Sequence, residues 1–100
     1  MHLNDYTFLQ RIASLPFVDA IYLFGSRARG DNKARSDIDI AVLCPQASEK
    51  EWLSILDIIE HAETLLMIDC VRLDHEPDNS PLRQQIEKDK KLIYERTAEY

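Results

Sequence analysis

Residues 20–43 read AIYLFGSRARGDNKARSDIDIAVL, and this stretch decides the fold of the chain. It opens with a short apolar run that ends at Gly25, as a buried strand does where it meets a turn. A second run, Asp37–Leu43, is rich in β-branched side chains and is bounded by Pro45. A loop rich in Gly, Asp, Asn, Lys and Arg separates the two, from Gly30 to Ser36. We therefore predict two strands joined by a turn and a polar loop.

Helical patterns lie on both sides of this stretch. Asn4 can cap a first helix, whose apolar residues recur at helical spacing until Pro16. Ser48, with Glu51 three residues later, is a capping-box signature. The apolar residues that follow keep 3.6-residue spacing, so we predict that the longest helix begins here and runs to about Thr64.

The C-terminal half adds the remaining elements of one domain. Leu65–Leu73 is apolar apart from two polar residues and predicts a third strand. Ser80 followed by Pro81 is the favoured start of a helix, and Leu92–Tyr94 predicts a last strand. We predict a single α+β domain over residues 1–100, a small mixed β-sheet flanked by helices.

Composition excludes several classes of protein. Apolar residues make up 45% of the chain and charged residues 30%, as in ordinary globular proteins. Neither a membrane-spanning run nor a signal peptide is visible, so we expect a cytoplasmic protein. The net charge of −6 argues against direct binding of nucleic acid, which depends on Lys and Arg. A small domain with an open sheet can also bury a face against a second copy, so a homo-oligomer stays open.

Two carboxylates stand at the start of the second predicted strand. Because side chains alternate along a strand, Asp37 and Asp39 point the same way, about 6.6–7 Å apart along the backbone. Two ionised carboxylates so close need a compensating charge, and hard oxygen ligands of this type suit Mg²⁺. Such carboxylates could bridge a metal pair about 3.5–4 Å apart. The plainer alternative is that Asp37 ends a loop and Asp39 is exposed on an edge strand.

The turn after the first strand is a candidate phosphate site. Gly25 permits a tight turn and close approach of the backbone, and Ser26 adds a hydroxyl to the N–H groups of a short helix. Arg27 and Arg29 lie near enough in sequence to neutralise phosphate charge. The alternatives are that Ser26 is only a helix cap and that the two arginines are solvated.

The sequence Leu23–Gly30 followed by Ser36–Val42 resembles the signature of the minimal nucleotidyltransferases (MNT). The resemblance implies a fold like that of DNA polymerase β, two Mg²⁺ ions, and transfer of a nucleoside monophosphate from a triphosphate, usually ATP. It also implies a third metal-binding carboxylate on a later strand. Asp69 matches this pattern and would help to bind the metal and accept the proton of the acceptor hydroxyl. Asp74, of opposite strand parity, is the competing candidate.

The same resemblance implies a partner. Members of the MNT family commonly occur with a small helical HEPN toxin, and in some pairs they neutralise it by adenylylating a tyrosine. We therefore expect an antitoxin that transfers AMP from ATP to a HEPN toxin. Two alternatives stay open: an antitoxin that acts by binding alone, and an adenylyltransferase of a small aminoglycoside-like alcohol.

Overall fold

The structure is a computed structural model in which residues 1–97 are described. Within these residues, four helices and four strands are joined by loops and two short 3-10 turns. In chain order they are α1 (Thr7–Ala13), β1 (Ala20–Phe24), α2 (Gly25–Arg29), β2 (Ile38–Leu43), α3 (Glu49–Glu60), β3 (Ile68–Arg72), α4 (Pro81–Asp89) and β4 (Lys91–Glu95).

The four strands form one mixed sheet in the spatial order β3-β2-β1-β4. β1 runs antiparallel to both β2 and β4, whereas β2 and β3 run parallel. A parallel pair needs a long crossover, and α3 supplies it between β2 and β3. The N-terminal ends of β2 and β3 therefore meet the C-terminal end of β1 at one edge of the sheet. The α+β class predicted from the sequence is confirmed.

A hydrophobic layer covers each face of the sheet. On one face, α1 and α3 cover the fully buried β2 side chains Ile38, Ile40 and Val42. On the other face, Ala41 of β2 packs with Phe24 and with Ile86 of α4. By the same alternation, Asp39 lies on the face that α4 covers. This is the parity predicted from the sequence.

The predicted start of α3 is confirmed, whereas the predicted start of α1 is wrong. The capping box at α3 is confirmed, because Ser48 N–H donates to Glu51 Oε1 at 2.8 Å and Glu51 N–H donates to Ser48 Oγ at 3.1 Å. The predicted start of α1 at Asn4 is wrong. Leu3–Asp5 forms a separate 3-10 turn, and Tyr6 with extended backbone (φ −139°) interrupts the helical path.

The predicted end of α3 at Thr64 is also wrong, since the helix ends at Glu60. Ala62 N–H donates to the carbonyl of Ile59, three residues back, at 3.2 Å. This bond spans three residues instead of the four of an α-helix, so it tightens the last turn and ends the α-helical pattern.

The third strand is shorter than the predicted Leu65–Leu73. Its partner β2 begins at Ile38, one residue later than predicted, and Ile38 pairs with Ile68. The residues before Ile68 consequently lack a neighbouring strand, and Leu65 is fully exposed. α4, with Ser80 Oγ accepting from Arg83 N–H at 3.0 Å, and β4 are confirmed.

Candidate active site

Strand pairing brings two of the predicted aspartates together. Asp39 of β2 and Asp69 of β3 are direct partners in the parallel register. Their side chains therefore lie on the same face of adjacent strands. Asp37 precedes β2 by one residue and is more exposed than Asp39. The sheet edge formed by the starts of β2 and β3 thus carries all three carboxylates.

The surroundings of Asp39 disfavour the ionised form of its carboxyl group. Burial raises the pKa of the Asp39 carboxyl above its ordinary value, and the negative charges of Asp69 and then Asp37 raise it further. The positive charge of Arg29 acts in the opposite direction and lowers this pKa. A carboxylate crowded by two others in this way is stabilised by a bound cation.

The three carboxylates are neighbours, but they do not form a closed cluster of oxygen atoms. Among residues 1–97, only Asp57, Glu60 and His61 place three ligand atoms within 4.8 Å of one another. That group is exposed at the end of α3, and the Nδ1 atom of His61 is 2.9 Å from the carbonyl of Asp57. It lies on the helix that covers the opposite face of the sheet from Asp39.

Gly25 makes room for the Asp39 carboxylate. Gly25 has a φ of +73°, a conformation that residues with a side chain rarely adopt. A Cβ atom at this position would also overlap Asp39 Oδ2. The turn between β1 and α2 therefore lies directly against the carboxylate, with Gly25 and Ser26 as the first two residues of α2. Ser26 is consequently not a helix cap, since Phe24 occupies that position.

Arg27 is held by the loop that follows α2. Its Nη2 atom donates to the Ser36 carbonyl at 2.9 Å and to the Ala34 carbonyl at 3.2 Å, and its Nε atom donates to Ser36 at 3.2 Å. These bonds fix the loop immediately before Asp37. The structure thus gives Arg27 a clear role in shaping the loop, whereas its predicted contact with phosphate stays a prediction.

Arg29 joins α2 to α4. Its Nη1 atom donates to Asp89 Oδ2 at 2.8 Å, and its Nε atom donates to Asp31 Oδ2 at 3.1 Å. Within residues 1–97 its Nη2 atom makes no hydrogen bond. Arg29 is therefore anchored on two sides and lies close enough to Asp39 to lower its pKa.

Asp89 is a residue that the sequence analysis missed. Its side chain is only 4% exposed, and it also accepts a hydrogen bond from Gln85 at 2.6 Å. These bonds, first that from Gln85 and then that from Arg29, lower the pKa of the Asp89 carboxyl, although burial opposes them. One signal was present: Asp89 follows Ile86 by three residues and so continues the buried face of α4.

Asp74, the competitor of Asp69, is engaged elsewhere. Burial raises its pKa, but hydrogen bonds from Cys44 N–H and the Arg72 side chain outweigh burial and lower it. These bonds measure 2.8 Å and 2.9 Å. Asp74 therefore ties the end of β3 to the end of β2, and the carboxylate beside Asp39 is that of Asp69.

The fold and the arrangement of aspartates define the class of protein, a nucleotidyltransferase. The chain belongs to the family described as "Polymerase beta, Nucleotidyltransferase", whose model matches residues 9–99. A relative from Methanocaldococcus jannaschii, named "Putative protein adenylyltransferase MJ1379", is 35% identical over 78 residues. That match covers 77% of this chain and 76% of the relative.

Solved structures of toxin–antitoxin complexes share the fold. A chain of a toxin–antitoxin crystal structure with AMP-PNP is 27% identical at a TM-score of 0.61, over 89% of this chain and 68% of that one. A chain from the complex of tri-AMPylated Shewanella oneidensis HEPN toxin with MNT antitoxin is 25% identical at a TM-score of 0.55. That match covers 82% of this chain and 60% of the other.

Proteins that act at membranes often carry a spanning helix. Among the described residues, no helix has the length and apolar character to cross a bilayer.

Proposed function

We propose that this chain transfers AMP from ATP to a tyrosine hydroxyl of a partner HEPN toxin and acts as its antitoxin. The observation that carries the proposal is the pairing of Asp39 with Asp69 beside the turn at Gly25. The structures compared above support the choice of ATP and of a HEPN acceptor, because one complex contains AMP-PNP and the other a tri-AMPylated HEPN toxin.

The residues present fit a pair of Mg²⁺ ions. Asp37 and Asp39 offer the hard oxygen ligands that Mg²⁺ prefers, and Asp69 completes the set. Burial and the charges of Asp69 and Asp37 raise the pKa of Asp39, so a bound cation would favour its ionised form. When bound, the two ions would balance the charge of the triphosphate and lower the pKa of the attacking hydroxyl.

The remaining chemistry falls to residues of the chain. The N–H groups at Gly25 and Ser26 and the Ser26 hydroxyl hold phosphate oxygens, and Arg29 neutralises their charge. Asp69 accepts the proton of the acceptor hydroxyl. The acceptor oxygen then bonds to the α-phosphorus, the bond from that phosphorus to the bridging oxygen breaks, and pyrophosphate leaves with the electron pair.

The experiment is a comparison of partner masses. Cells that produce the chain together with its HEPN partner are lysed, the complex is purified by a tag on the chain, and the partner is weighed intact. We expect a partner heavier by one or more AMP groups with the wild-type chain and an unmodified partner with Asp37→Asn or Asp39→Asn.

Neutralisation of the toxin by both variants, with no AMP on the partner in any sample, would instead establish an antitoxin that acts by binding. Modification of an aminoglycoside-like alcohol by the isolated chain would point to the small-molecule alternative.

A further inference from the structure

An apolar groove opens beside Asp37, next to the start of β3. It has a volume of about 510 Å³ and is lined by Arg35, Asp37, Leu65, Leu66 and Met67. The exposed fraction is 105% for the Leu65 side chain and 72% for Met67. Large apolar side chains grouped this openly are typical of a surface that contacts a ligand or another protein.

The groove continues the face of the sheet that carries the aspartates. Ile38 N–H donates to the Met67 carbonyl at 2.8 Å, so Met67 takes part in the first hydrogen bond of the β2–β3 ladder. Side chains alternate along a strand, so Met67 points to the same face as Asp69. Continued by one step, the register places Met67 opposite Asp37. The groove and the aspartates are therefore one surface.

The order of the strands places the turn at Gly25 and the groove on opposite sides of β2. The turn at Gly25 and Ser26 follows β1 and lies on one side of β2, whereas the groove precedes β3 on the other side. The proposed function places the triphosphate at the turn, and this step rests on that proposal. The β3 side, where Asp69 lies, is then the side that is open to the acceptor.

We propose that this groove binds the acceptor protein, through a segment that presents its hydroxyl residue to Asp69. Apolar side chains of that segment pack on Leu65 and Met67, and an acidic group of the segment pairs with Arg35. An aminoglycoside-like polycation fits poorly, because the apolar lining offers it few hydrogen bonds. Nucleic acid fits poorly because the chain carries a net charge of −6.

The test replaces the groove side chains and measures each substrate separately. In Leu65→Ser/Met67→Ser, both changes are at exposed positions, so the fold is retained. The matched control is Leu53→Ser, which removes a side chain that is 55% exposed on α3. The probes are ATP with Mg²⁺ and the HEPN protein that copurifies with the chain. Calorimetry gives the Kd for each probe, and AMP incorporation gives the KM for the HEPN protein.

We expect the double variant to raise the Kd and KM for the HEPN protein by about 10- to 100-fold, the effect of losing two buried apolar contacts. Its Kd for ATP is expected to match that of the wild type, and Leu53→Ser is expected to change neither quantity. A weaker Kd for ATP with an unchanged Kd for the HEPN protein would overturn the inference and assign the groove to the nucleotide base. Equal values for the double variant and the control would overturn it as well.

The two proposals can fail separately. The Kd for the HEPN protein is measured without ATP, so it tests the groove even if no AMP is transferred. Absence of AMP transfer by the wild-type chain would contradict the proposed function alone.

Discussion

At the scale of single residues, the charge of Asp39 lowers the stability of the folded chain. Asp39 is half-buried, and Asp69 and Asp37 raise the pKa of its carboxyl. If Asp39 binds a cation as proposed, its charge costs stability while no cation is present. Asparagine has nearly the same shape and carries no charge, so Asp39→Asn isolates the electrostatic part of this cost.

We expect Asp39→Asn to raise the Tm of the metal-free protein by a few degrees. The folded-state pKa of Asp39 lies above the unfolded value, so folding disfavours its ionised form. The free energy of unfolding of the wild type should therefore fall as pH rises through the range just above the ordinary carboxyl pKa. Thermal denaturation in EDTA between about pH 4 and pH 7 measures this difference.

The control for this prediction is the addition of Mg²⁺. It should raise the Tm of the wild type more than that of the variant, since bound ligand stabilises the folded state. A variant that is less stable than the wild type at every pH would show that the Asp39 charge is already balanced within the chain.

Gly25 and Gly30 form a matched pair for a second prediction. Both have positive φ values, +73° and +85°, but only at Gly25 would a Cβ meet another residue. Gly30→Ala should cost about 1–2 kcal/mol of stability from backbone strain and leave nucleotide transfer intact. Gly25→Ala should have the same strain and should also displace the Asp39 carboxylate, abolishing transfer. Urea denaturation and a transfer assay on both variants measure the two effects.

The Gly25 prediction is contradicted if its alanine variant transfers AMP as well as the Gly30 variant does. In that case the contact between Gly25 and Asp39 would have no part in the reaction.

At the scale of elements, an ion pair links two helices that are distant in sequence. Arg29 at the end of α2 binds Asp89 at the end of α4, and Asp89 is nearly buried. Removing Arg29 leaves the nearly buried Asp89 carboxylate without its cation, so the loss exceeds that of an exposed ion pair. The pair therefore fixes α2, and with it the turn that carries Gly25 and Ser26.

We expect Asp89→Asn and Arg29→Ala each to lower the Tm by several degrees, and the double variant to lose less than the sum, because each single change removes the same contact. Glu87→Gln, which alters the more exposed pairs of Glu87 with Arg83 and Lys90 on α4, is the control and should have little effect. Calorimetry of the four variants gives these values. Additive losses from Asp89 and Arg29 would show that they act independently.

Features that depend on neighbouring residues could be predicted from the sequence. Contacts between residues that are distant in sequence could not. The strand at Ala20–Phe24, the capping box at Ser48 and the parity of Asp39 all follow from local spacing. The end of α3 depends on how its last turn tightens, and the start of β3 depends on where β2 begins. The start of β3 is set by tertiary pairing, which local spacing does not contain.

The candidate site shows the same division. Asp69 was proposed from the resemblance to MNT proteins, but its position opposite Asp39 follows from the register of two strands that are separated by α3. Asp89 was missed because a charged residue near the end of a helix is usually exposed. Only the packing of α4 on the sheet reveals that it is buried against Arg29.

At the scale of the whole molecule, the proposed sites for both substrates lie at one edge of the sheet. The turn after β1, the starts of β2 and β3, and the groove before β3 are contiguous there. Nucleotide and acceptor could therefore reach the aspartates from opposite sides of β2. The central claim is that AMP, rather than the terminal phosphate of ATP, passes to the acceptor.

The most direct measurement of that claim uses two radioactive forms of ATP. The purified chain is incubated with Mg²⁺, the HEPN protein and ATP labelled at either the α- or the γ-phosphorus. The account predicts that the α label appears on the HEPN protein, that the γ label is released as pyrophosphate, and that Asp37→Asn prevents both. Transfer of the γ label, or absence of the α label from the HEPN protein, would contradict it.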